Sequence, residues 1–117
     1  MANFTPEDVV AAYKTKGLRA RRYALNLTVE SDGTCNNTSG RCCALGALGS
    51  GLRLSPHEVA RIGQGGALCE TLGVDWEAFT NGFDGRSHWH GQHPDYLLGV
   101  ACREAVAAAG LFDPDSE

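Results

Sequence analysis

Twice the chain spells out the same helix start. In "FTPEDV", Thr5 stands at a capping position, Pro6 at the first helical position and Asp8 three residues after the cap. Phe4 and Val9 are spaced to staple the entry. "LSPHEV" repeats the grammar with Ser55, Pro56, Glu58 and the pair Leu54/Val59. These signals commit two distant stretches to helix, so the fold must pack helices around whatever lies between them. Gly17 ends the first helix, which the pattern places over residues 6–16.

The intervening segment changes period. In "YALNLTVE", Tyr23, Leu25, Leu27 and Val29 alternate with Ala24, Asn26, Thr28 and Glu30, the period-two pattern of a half-buried strand. Asp32-Gly33 follows as a hairpin turn signal, with a return strand expected through Thr34 and Cys35. A lone strand cannot satisfy its backbone groups, so without that return strand a second copy of the chain would have to supply one. That is one physical reason to expect a homodimer.

Beyond residue 60 the pattern is helical and punctuated by glycine. "ALCETLG" reads as a short helix ending at Gly73, and "VDWEAFTNG" as one starting at Asp75 and stopping near Gly82. "HPDYLLGVACREAVAAAG" is the strongest helix, from Pro94 to a glycine stop at Gly110, with an apolar stripe through Leu97, Val100, Ala101, Ala105 and Ala108. Cys69 and Cys102, set in apolar segments, read as buried thiols. The fold class is α+β, a small and mostly helical domain over residues 1–112 with a minor antiparallel β-hairpin, followed by a frayed acidic tail at 113–117.

With 117 residues, 43% hydrophobic and 21% charged, the chain is expected to bury a core without staples. Its five cysteines form no C-x-x-C pair, so neither a disulfide framework nor a four-cysteine zinc module is expected. The opening "MANFTPEDVV" lacks the charged and apolar regions of a signal peptide, and no apolar run spans a bilayer. The expected location is the cytoplasm, with no membrane partner.

The charge is divided. Residues 1–53 carry seven Lys/Arg against four Asp/Glu, and residues 54–117 carry three against ten, which gives +3 and −7. Lys14, Lys16, Arg19, Arg21 and Arg22 fall within "KTKGLRARR". Such a segment suits phosphate contact, but it also suits a solvated helix end, where cations are favoured. The acidic remainder favours the second reading, so nucleic acid is not the expected partner.

Three stretches carry candidate chemistry. In "CNNTSGRCCALGALGSGL", the polar run predicts capping and a helix from about Arg41 to Ser50. On that wheel Cys42 lies about 60° from Leu45 and Cys43 about 160°, so Cys42 belongs to the core and Cys43 faces away. A thiol in a first helical turn has a lowered pKa, and Cys43 with one of His88, His90 or His93 has the chain order of a cysteine hydrolase. Gly46 and Gly49 invite close approach by another segment, which makes packing the competing role.

"CCALGAL" resembles the Cys-Ala-Leu-Gly-Ala motif of small, functionally unassigned proteins from actinobacteria and their phages. "FTNGFDG" followed by "YLLGVACREAV" is similar to the C-terminal part of uncharacterised phage proteins, in which a Gly-Phe-Asp-Gly turn precedes a final helix. The doubled cysteine and the histidine-rich loop depart from the first pattern. The resemblance implies a compact accessory protein, acting in the host cytoplasm if phage-encoded, and brings no activity with it.

"GFDGRSHWHGQHPD" holds His88, His90 and His93, neutral imidazoles suited to zinc, nickel or copper, with Asp84 or Asp95 available as a carboxylate ligand. The same loop reads as a binding surface with Trp89 as anchor among Phe83, Asp84 and Arg86. "GQGGAL" could cradle phosphate, but it lacks the Lys-Ser/Thr and preceding strand of a P-loop and reads as a turn between helices. The leading expectation is a non-catalytic interaction protein for a host protein or small ligand. It needs no cofactor; zinc at the histidines and cysteine hydrolysis are the alternatives.

Overall fold

The computed structural model describes residues 2–22, 24–85 and 93–112. The elements run α1 (Pro6–Lys16), β1 (Arg19–Ala20), β2 (Leu27–Val29), β3 (Cys35–Asn37), β4 (Arg41–Cys42), α2 (Ala44–Gly49), α3 (Pro56–Leu72), α4 (Trp76–Asp84) and α5 (Pro94–Ala108). The class is α+β with helix predominating, as the sequence pattern indicated. The acidic segment 113–117 lies outside the described residues.

α1 begins on a full capping box, with the Thr5 hydroxyl accepting from the Asp8 amide and the Asp8 carboxylate accepting from the Thr5 amide. Ser55 caps α3 in the same way, but Glu58 holds the Arg61 guanidinium. Each device satisfies amides that a first helical turn leaves open. α1 and α5 close alike. Leu18 donates to the Tyr13 carbonyl and Leu111 to the Val106 carbonyl, the six-to-one bond of a Schellman ending.

β2 and β3 pair antiparallel, Leu27 opposite Asn37 and Val29 opposite Cys35, so the expected return strand comes from the chain itself. The strand is shorter than predicted. Asn26 takes φ 50°, and its side-chain amide donates to the Arg41 carbonyl (2.7 Å) and the Ser39 hydroxyl (3.0 Å). Asparagine tolerates that left-handed backbone, and the turn ends the extended run before Leu27. The alternation survives beyond it, with Leu27 buried and Thr28 exposed. Tyr23 lies outside the described residues.

A second pairing has no counterpart in the sequence pattern. β1 and β4 run parallel, Arg19 beside Arg41 and Ala20 beside Cys42, and Phe112 bridges to Ala20 from the other side. This pairing takes Arg41 and Cys42 into a strand, so α2 starts three residues later than predicted, with Cys43 as its N-cap. Cys42 and Cys43 therefore precede the helix instead of dividing between its faces, and both side chains, Cys43 included, are buried.

α3 breaks once, at Gly63, whose φ of 81° and ψ of 164° interrupt an otherwise helical run to Leu72. The predicted glycine loop thus narrows to one residue, because Gln64–Leu72 finds an apolar face in Ala67, Leu68, Cys69 and Leu72. Arg61 reaches across the break to Glu70 at 3.6 Å.

α4 and α5 meet backbone to backbone. A Cβ on Gly82 would overlap the Tyr96 carbonyl oxygen, and one on Gly99 would overlap that of Phe79. Gly82 is therefore a contact inside α4, which runs on to a cap at Gly85. The contact also sets the rotation of α5. Gly99, Cys102 and Val106 turn inward, while Leu97, Ala101 and Ala108 from the predicted stripe face solvent. Phe4 meets Phe79 edge-on at 5.7 Å, and Phe79, Phe83 and Phe112 stack in sequence into a core shared by all five helices. Among the described residues no helix is long and apolar enough to cross a membrane.

Replacing Gly99 by alanine tests this contact. Alanine normally gains about 1 kcal/mol over glycine within a helix. Here the added methyl forces the helices apart, and urea unfolding should show a net loss of about 1–3 kcal/mol. Ala101→Leu, on the outward face, should stay within about 0.5 kcal/mol of the parent.

Candidate functional site

Cys43 sits where β4 becomes α2, with its amide donating to the Ala24 carbonyl at 2.6 Å and its carbonyl accepting from Ala47 at 3.0 Å. The amides of Leu45 and Gly46 lie toward the sulfur and favour the thiolate, but burial outweighs them and the pKa is pushed up to about 11. The lowering expected for a thiol at a helix start is therefore not realised. Burial also pushes Cys42, Cys69 and Cys102 up to about 12. A thiol held neutral is neither a nucleophile nor a metal ligand.

Cys42, Cys43 and Cys102 lie about a polar point in the core. The Tyr13 hydroxyl donates to the Cys42 carbonyl at 2.7 Å, deep in the interior. Burial first, then the nearness of Cys42, Cys43, Cys102 and Asp84, disfavours ionisation of the phenol. No histidine is a hydrogen-bond partner of Cys43 among the described residues.

The loop residues divide. Arg86, His88, Trp89 and His90 lie outside the described residues. Phe83 and Asp84, read from the sequence as part of a turn, form the last turn of α4 and are buried, at 1% and 5% exposure. Phe83 belongs to the aromatic stack, whose apolar contacts keep the helix going to Gly85. His93 is the N-cap of α5, its Nδ1 accepting from the Asp95 amide at 3.1 Å. An accepting Nδ1 places the neutral ring's proton on Nε2, which makes that nitrogen a hydrogen-bond donor rather than a lone pair for a metal. Among the described residues no three His, Cys, Asp or Glu side chains are placed to hold a metal ion.

What the structure does assemble is a groove of about 520 Å³ lined by Ala2, Phe4, His93, Pro94, Asp95 and Leu98. One wall is the N-terminal segment, pinned to the end of α3 by Asn3, whose amide donates to the Leu72 carbonyl (3.1 Å) and whose side chain donates to Thr71 (2.8 Å). The other wall is the first turn of α5, tied to the start of α4 by the Asp95 carboxylate accepting from the Asp75 amide at 2.7 Å. The groove therefore pairs apolar sides with a polar rim of His93 and Asp95. Both rim residues carry ligand chemistry that is visible in the sequence, whereas the walls do not. Ala2 and Leu98 have no chemical signature, and Phe4 was recognisable only as a staple.

In native protein at neutral pH, iodoacetamide should leave all five cysteines unmodified, and unfolding in urea should release five reactive thiols. Stoichiometric labelling of Cys43 below pH 8 would contradict the burial described. The same shifts set a pH trend. The unfolded state ionises first, near the ordinary value of 9.0, so the thiols' contribution to stability is complete below it and falls as pH rises toward about 12. Denaturant midpoints measured from pH 8 to 10.5 should decline, and less steeply in a Cys102→Ala variant.

The chain matches no family model, no curated protein and no solved structure.

Proposed function

We propose that this protein is a small non-catalytic binding module, an accessory protein of the kind the phage resemblance implies, and that it takes its partner in the groove between the N-terminal segment and α5. The groove carries this reading. It is concave and mostly apolar with a few convergent polar groups, the usual character of a small-ligand or side-chain pocket. A partner would place an aliphatic or aromatic group against Phe4, Pro94 and Leu98 and a hydrogen-bonding group near His93 and Asp95. Residues 86–92 precede His93 in the chain, so the loop read from the sequence as a binding surface leads directly into this rim.

The neutral, buried state of Cys43 supports a binding role over cysteine hydrolysis, since a hydrolase needs a thiolate open to substrate. The first test uses a fluorescent apolar anion, anilinonaphthalene sulfonate, as a probe of the groove. The folded protein should bind it saturably. Leu98→Arg, at a half-buried position, should weaken that binding at least tenfold while preserving the circular dichroism spectrum. Probe binding that is absent, or equal in the variant, would remove the groove as the docking site.

A further inference from the structure

The cationic segment "KTKGLRARR" acquires a different meaning once folded. Two of its charges have structural work. Lys16 donates through Nζ to the Ala47 carbonyl at 2.6 Å, near the end of α2, and Arg19 donates through Nη2 to the Phe112 carbonyl at 2.8 Å. The β1–β4 pairing then adds a cation the segment does not contain, because Arg41, twenty-two positions along the chain, lies directly beside Arg19. Strand alternation fixes the direction of all three arginines. Ala20 and Cys42 are fully buried, while Arg19, Arg21 and Arg41 are exposed. Like charges directly opposite on neighbouring strands are unfavourable, yet the β1–β4 register sets Arg19 beside Arg41.

The chain segments that carry β1 and β4 are equally selective. No Asp or Glu occurs from residue 9 to 29 or from 33 to 57. Lys14, Arg19 and Arg21 make no ion pair among the described residues. The adjoining loop exposes Asn36, Thr38, Ser39 and Gly40, all polar or small, and presents no apolar anchor.

We infer that the outward face of the β1–β4 pair, through Arg19, Arg21 and Arg41, is a contact surface for the phosphate backbone of a nucleic acid. Guanidinium groups match phosphate oxygens with paired donors, and neighbouring hydroxyls and amides add contacts that carry no sequence information. A protein partner would call for an aromatic or aliphatic anchor at the centre of the patch, and the described residues of this face supply none. The net charge of −4 does not prevent such contact. The molecule measures 35 × 30 × 22 Å, several times the roughly 8 Å over which charges act at physiological salt, so the local cluster governs short-range attraction. The surface is separate from the proposed groove, and its test does not depend on that reading.

The experiment is fluorescence anisotropy of a short labelled DNA duplex of mixed sequence titrated with the full chain. Three phosphate contacts give a slope of log affinity against log salt near −2.7, or about a 40-fold loss between 50 and 200 mM. The Arg21→Gln/Arg41→Gln double variant should bring the slope to about −0.9 and the loss to about fourfold. Its circular dichroism spectrum and cooperative unfolding should match the parent's, which separates lost contact from lost fold. Failure to bind at 20 mM salt, or a slope unchanged in the double variant, would overturn the inference. So would polyglutamate displacing the DNA as well as unlabelled duplex does at equal charge, since the face would then be a general anion surface.

Discussion

The structure depends most on the strand-to-helix junction at Cys42 and Cys43. The Cys42 carbonyl accepts both the Arg21 amide at 2.9 Å and the Tyr13 hydroxyl at 2.7 Å, so one buried oxygen joins β4 to β1 and both to α1. One residue later the Cys43 amide reaches Ala24, and a side chain at Gly46 would collide with the Leu25 carbonyl. An unsatisfied buried carbonyl costs about 1–3 kcal/mol, and this junction leaves none of these groups unpaired. The two cysteines fit because they are small, apolar and neutral at a point where four segments converge. A larger side chain would have no space, and a charged one no solvent.

That constraint separates the interior from the surfaces available for function. The thiols are committed to packing, and the chemistry open to a partner lies at the edges the junction positions. α1 and β1 hang from Tyr13 and Ala20, and the same ladder turns Arg19, Arg21 and Arg41 outward. α4 and α5 lock through Gly82 and Gly99, which leaves the first turn of α5 beside the N-terminal segment as a groove. The two faces differ in kind, one apolar with a polar rim and the other cationic and hydrated. A module with both could hold two dissimilar groups.

Local signals in the sequence were reliable where a few adjacent residues decide the outcome. Thr5-Pro6 and Ser55-Pro56 started helices, Gly17 and Gly110 stopped them, and Asp32-Gly33 turned a hairpin. Tertiary contacts decided the rest. The parallel pairing of Arg19–Ala20 with Arg41–Cys42 is too short to leave a pattern, yet it displaced the start of α2 and undid the helical wheel drawn for the cysteines. Gly82 looked like a stop but proved to be a contact, and that contact rotated α5 away from its most apolar stripe. Of the candidate site residues, His93 and Asp95 were legible as polar groups at a helix start, whereas the apolar groove walls became visible only with the chain folded. Arg41 joins the cationic face for the same reason.

Native-state hydrogen exchange tests the central claim, that the Cys42–Cys43 junction is a structural keystone rather than an opening reactive site. The Cys43 amide, bonded to Ala24, should exchange only through global unfolding, with an opening free energy equal to that from denaturant titration and falling in step with it in a Tyr13→Phe variant. Exchange of that amide by a local opening well below the global value would contradict the account, because it would show the junction separating while the rest of the fold stays intact.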